Sequence, residues 1–96
     1  MIQVITKRQE IEAIVCRKLN IGVDEIRGND YLKEKCILLE MLARYSGLKL
    51  SQICRSFKMS ASNIHVNRKR FEAFKTTDAD FITLVDSIDV ELKNTR

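Results

Sequence analysis

LKLSQICRSFKMSASNIHVNRKRFEAFK, residues 48–75, decides the fold. Leu50, Ile53, Cys54 and Phe57 recur at helical spacing and predict a short helix from about Leu50 to Phe57 with one apolar side. Lys58-Met59-Ser60 then makes a turn. A longer helix follows over about residues 61–75. Advanced by about 100° per residue, Ala61, Ile64, Arg68, Phe71 and Lys75 share one side, with Asn67 and Phe74 at its edge. Ser62, His65, Val66, Lys69 and Ala73 lie opposite, flanked by Asn63 and Arg70. A short helix, a three-residue turn and a longer helix with a polar, basic outer side is the layout of a helix-turn-helix.

Working outward, the rest of the chain also predicts helices. The 96 residues contain no proline and three glycines, which disfavours a turn-rich β fold. Thr6 and Gln9 have the spacing of a capping box at the start of a helix running to about Leu19, with Ile11, Ile14, Val15 and Leu19 inside and Arg8, Glu12 and Arg17 facing water. Val23 to Ile26 suits one helical turn, with Asn29 or Asp30 capping the next helix. From Tyr31 to Tyr45 apolar residues cover most of the circumference, leaving Lys33, Ile37, Glu40 and Arg44 outside. Such a helix belongs in the middle of a domain. Ser46-Gly47 ends it. Thr77 and Asp80 mark a last helix start, and Phe81, Leu84, Val85, Ile88 and Leu92 form its buried stripe. Residues 1–96 are therefore expected to form a single all-α domain of five to six helices.

Composition narrows the function classes. No apolar run approaches the roughly 20 residues of a membrane span, and the N-terminus lacks the pattern of a signal peptide, so a cytoplasmic location is expected. Cys16, Cys36 and Cys54 form no CxxC pair, and with one histidine they offer neither a zinc set nor a disulfide pattern; buried thiols are expected. No nucleophile–base pair or phosphate loop points to an enzyme, a cofactor or a small-molecule substrate. The charge is uneven: Lys and Arg outnumber Asp and Glu seven to one over residues 47–75, whereas the acids lead five to two over residues 76–96. A basic segment of this kind is the footprint of a polyanion binder.

In a helix-turn-helix the second helix enters the major groove of double-stranded DNA, with its N-terminal residues toward base edges. Ser62, Asn63, His65 and Val66 fall at those positions. Asn can pair with adenine, Ser and His with several edges, and Val66 could pack on a thymine methyl. Ser60 and Ser62 serve equally well as helix caps. Lys33, Lys35, Lys49, Lys58, Lys69 and Arg70 are the candidate phosphate contacts. The alternative is a protein-interaction module, or self-association, through Val66 with Ile37 or Ile82.

The order of segments resembles the C-terminal DNA-binding domain of the bacterial replication initiator DnaA over about residues 8–92. Val15-x3-Leu19-x-Ile21-x-Val23-x-Glu25-Ile26 is similar to that family's opening pattern, and the apolar helix followed by Leu50-Ser51-Gln52-Ile53-Cys54-Arg55-Ser56-Phe57 is similar to its central helix and "SLxxIGxxF" segment. The resemblance implies a Trp-repressor-like, variant helix-turn-helix fold and a role in reading DNA such as that of replication initiation; with no GxxxxGK[ST] phosphate loop, the family's ATPase is not expected on this chain. The family's Arg-Asp-His-[ST]-[ST]-Val signature is absent; only Ser62, Asn63 and Ile64 stand at matching places. A sequence preference different from the DnaA box is expected.

Overall fold

The computed structural model describes residues 8–28 and 33–94, which form six helices and, among those residues, no strand. They are α1 (Arg8–Leu19), α2 (Val23–Gly28), α3 (Lys33–Tyr45), α4 (Leu50–Phe57), α5 (Ala61–Thr77) and α6 (Ala79–Lys93). The proposed caps at Thr6 and at Asn29 or Asp30 lie outside the described residues.

Helix α3 is the axis of the domain and packs against all five other helices. Its almost continuous apolar run explains this position: Cys36, Ile37, Leu38, Leu39, Met41 and Leu42 are all buried, so each flank of the helix needs a neighbour. Ile37, expected outside, is therefore inside. Helices α1 and α6 contribute Ile11, Val15, Phe81, Val85, Ile88 and Leu92, which fit the expected stripes. Ile14, Leu19 and Leu84 pack half-buried around them.

Two carboxylates expected to face water are also buried. Glu12 on α1 is bridged by Arg8 at 3.1 Å and by Arg27 from α2, while Glu40 on α3 is bridged by Arg44 at 3.0 Å and by Arg68 from α5 at 3.5 Å. Burial of a charge is tolerated where opposite charges and hydrogen bonds compensate it, and here the compensating arginines come partly from other helices. Helix α1 is tied to α6 by Arg17 on Glu91 (2.6 Å) and Lys18 on Ser87 (3.0 Å).

Helix α4 has the expected bounds, and both its ends are built locally. The Gln52 Oε1 accepts from the Lys49 N–H at 2.8 Å, which satisfies a free donor at the start. At the other end Lys58 adopts φ 54°, ψ 40°, and the Met59 N–H donates back to the Cys54 carbonyl at 2.9 Å. This is a Schellman-type stop with lysine in the left-handed position where glycine is usual. A β-carbon is strained there, so Lys58→Gly should raise the unfolding free energy by about 0.5 to 1 kcal/mol. A urea titration with unchanged slope and a higher midpoint is the expected result.

Helix α5 starts at Ser60, whose Oγ accepts from the Asn63 N–H at 3.1 Å; the cap is thus Ser60 and not Ser62. The boundary with α6 differs from the expectation. Asp78, not Thr77, is the cap: its Oδ1 accepts from the Phe81 N–H at 3.1 Å, while its own N–H closes α5 on the Phe74 carbonyl at 2.9 Å. Thr77 completes α5 and donates its hydroxyl to the Ala73 carbonyl. One residue joins the two helices.

Candidate nucleic-acid interface

Three inward contacts fix which side of α5 faces out. Ile64, Asn67 and Phe71 are buried against α3 and α6. Phe71 meets the Phe81 ring edge-on at 5.3 Å, and Phe74 lies 5.4 Å from the same ring. Asn67 is the polar member of this face. Its amide donates to the Asn63 carbonyl at 2.9 Å and its Oδ1 accepts from the Cys36 thiol at 3.2 Å, so both ends of a buried amide are satisfied.

The opposite side is open along the whole helix. Ser62, Val66, Lys69, Ala73 and Thr76 are exposed and follow one another at alternating steps of four and three, which keeps them on one line. The line spans roughly 20 Å at a helical rise of about 1.5 Å per residue. All but Lys69 are small or short, so the backbone of α5 can come close to a partner surface. Val66, 51% exposed, is an apolar point within this polar line. Asn63 and His65 flank it, also exposed. The four residues expected to face bases thus share the outer side of α5.

The candidate phosphate contacts divide. Lys49, Lys58 and Lys69 are exposed. Arg70 is half-buried, with its guanidinium 5.6 Å from the centre of the Phe74 ring. Lys33 forms an ion pair with Asp78 and lies 4.8 Å from the Phe74 ring centre, so it acts within the fold, fastening α3 to the joint between α5 and α6. Lys35 has no exposed surface. Its ammonium donates to the Arg27 carbonyl at 3.0 Å and lies 5.6 Å from the Phe57 ring centre, and a group held there cannot reach a phosphate outside. Its place on the most buried helix is the physical reason.

Pairing within the molecule sharpens the charge pattern. Among the described residues, Arg8, Arg17, Arg27, Lys33, Arg44, Arg68 and Lys93 each have a carboxylate within ion-pair distance. Lys18, Lys49, Arg55, Lys58, Lys69 and Lys75 have none; Lys18, on α1, donates to the Ser87 hydroxyl, and the other five belong to α4, α5 and the turns beside them. Arg55 and Lys75 were not among the expected contacts. Arg55 could have been found from the wheel of α4, because it lies opposite Ile53 and Phe57.

Of the acids at α6, Asp78 at its cap and Asp89 and Glu91 within it are paired with cations, whereas Asp80 and Asp86 have no cation partner among the described residues. The hydrogen bond from Lys33, followed by that from the Phe81 N–H, lowers the Asp78 carboxyl below its ordinary range. Burial raises the Asp89 carboxyl, but Tyr45, Lys93 and Arg44 together leave it lowered. The hydrogen bond from Arg17 lowers Glu91. Lowered folded values mean that the fold favours the charged forms. Their contribution is complete above the ordinary carboxylate range, about pH 4 to 4.5, and is lost as the pH falls through the folded values. The thermal midpoint should therefore hold from pH 7 to about 5 and fall below about pH 4, less steeply in Asp78→Asn. Cys16 and Cys36 are buried, and burial pushes both thiols up, which keeps them protonated and unreactive at neutral pH.

The described residues contain no group of three His, Cys, Asp or Glu side chains able to hold a metal ion, and no helix long and apolar enough to cross a membrane. No protein-family model, curated protein or solved structure matches the chain.

Proposed function

We propose that the protein is a non-enzymatic, double-stranded-DNA-binding module of the bacterial cytoplasm, in which α4 and α5 act as a helix-turn-helix and α5 enters the major groove. The observation that carries this reading is the coincidence of two features on one segment: cations without a carboxylate partner, and a 17-residue helix with an open line of short side chains. Phosphates would meet Lys49, Lys58, Lys69 and Arg70, and base edges would meet Ser62, Asn63, His65 and Val66.

The resemblance of residues 8–92 to the DnaA C-terminal domain supports the same role, as a DNA reader whose preference is not the DnaA box. The competing reading, a protein-contact surface of Val66 with Ile37 or Ile82, loses Ile37, which is 1% exposed, but keeps Val66 and Ile82, which are 51% and 38% exposed.

Fluorescence anisotropy on random-sequence duplexes at rising salt tests the proposal. Each neutralised phosphate contributes about −0.9 to the log–log slope, so three to five contacts predict a slope of roughly −3 to −5. Failure to bind at low salt would overturn it. Selection from a random duplex library would then give the preferred site, and a recovered palindrome would indicate a dimer.

A further inference from the structure

We propose that the concavity between the start of α1 and the outer side of α4 is a phosphate-binding site, separate from the outer line of α5. Arg8, Leu48, Gln52, Arg55 and Ser56 line this open space of about 340 Å³. Its polar lining consists of hydrogen-bond donors or groups able to donate. Arg55 has no carboxylate within ion-pair distance. The Gln52 Oε1 is occupied by the Lys49 N–H, which leaves the amide NH₂ as the free end. Ser56 accepts from Arg8 Nη1 at 2.8 Å on its Oγ and keeps its own proton to donate.

Charge points the same way. Arg8 and Arg27 both reach Ser56, the first at its hydroxyl and the second at its carbonyl (3.2 Å), and Arg55 is its neighbour in the chain. Among the described residues, one carboxylate, Glu12, lies within ion-pair distance of any of these three guanidiniums, and Arg8 and Arg27 share it. A positive excess persists after pairing. Guanidinium groups present forked N–H donors that match two oxygens of an oxyanion, which favours phosphate over a halide.

Two other concavities among the described residues are chemically different. The one beside α5 carries Glu40 and Glu72 among His65, Arg68 and Lys69, and the one beside Lys33 carries Glu34, Asp78 and Asp80. Carboxylates in their walls would repel an anion. Among the described residues, the space at Arg8 and Arg55 has none in its wall.

The phosphate could be a backbone phosphodiester of a bound duplex or a free phosphate group; only the first source rests on the proposed role of α5. Amide NMR spectra of the full chain are recorded during titration with inorganic phosphate at constant ionic strength, against chloride, for the natural protein and for Arg55→Gln. Saturable shifts at Gln52, Arg55 and Ser56, weakened about tenfold in Arg55→Gln, are expected. The same variant is then compared in duplex binding. A salt slope shallower by about 0.9 identifies the backbone as the source. Phosphate shifts with an unchanged duplex slope identify a free phosphate, and phosphate shifts without any duplex binding remove the role of α5 while leaving this site in place. Absence of saturable phosphate shifts together with an unchanged duplex slope overturns the site. Arg55 is exposed and unpaired, so an unchanged thermal midpoint in Arg55→Gln shows that lost binding is not lost folding.

Discussion

Phe71→Ala should destabilise the protein by about 3 to 5 kcal/mol, enough to bring a domain of this size close to unfolding. Phe71 has no exposed surface and packs where α3, α5 and α6 meet. Truncation removes the buried ring, leaves a cavity that close-packed helices can fill only in part, and deletes the edge-to-face contact with Phe81 at 5.3 Å. The Arg44 guanidinium, 5.6 Å from the ring centre, loses its neighbour as well. A fall in thermal midpoint of more than about 12 °C follows from a loss of this size. Phe74→Ala is the internal comparison: Phe74 is half-buried at the edge of the same cluster, so it should cost clearly less. Equal losses would mean that the inward side of α5 is centred elsewhere, and with it the outward line.

Lys69→Glu should weaken duplex binding by about 100-fold at moderate salt while leaving the thermal midpoint nearly unchanged. Lys69 is the only charged residue on the outer line of α5, and it has no carboxylate partner within the fold. Removal of a charge-assisted contact to phosphate costs about 1.5 to 3 kcal/mol, and a carboxylate placed against the backbone adds repulsion. The fold does not use this lysine, so stability is not at stake. Lys93→Glu is the matching control. It also reverses an exposed lysine, but at the far end of α6 beside Asp89, and should not change the affinity beyond the small effect of net charge. If both changes weaken binding alike, attraction is diffuse and α5 is not the contacting element.

Local patterns in the sequence were enough for much of the fold. The bounds of α4 followed from the spacing of Leu50, Ile53, Cys54 and Phe57, and the inner side of α5 from Ile64, Phe71 and Phe74, because apolar periodicity and burial coincide within a single helix. Three of the errors have a common origin. Glu12, Glu40 and Lys35 are buried because their partners Arg27, Arg68 and the Arg27 carbonyl come from elsewhere in the chain, and no pattern along one helix shows a partner 15 or 28 residues away. The joint at Asp78 was missed for another reason. Thr77, Asp78 and Asp80 are all able to cap a helix, and only the path of the backbone selects one.

The candidate site was legible to a similar degree. Exposure of Ser62, Asn63, His65, Val66 and Lys69 followed from the wheel. The engagement of Lys33 by Asp78, and the approach of Arg8 to Ser56 across 48 positions, required the tertiary structure.

The single-residue joint at Asp78 bears on how a duplex would have to meet this protein. The residue that stops α5 also starts α6, and Lys33 holds it to the central helix, so the exposed helix is braced at its far end against two others. A braced probe cannot swivel to follow a groove of the wrong width. Adjustment would then fall on the DNA, and sequences that widen or bend at little cost would be favoured even at base pairs no side chain touches.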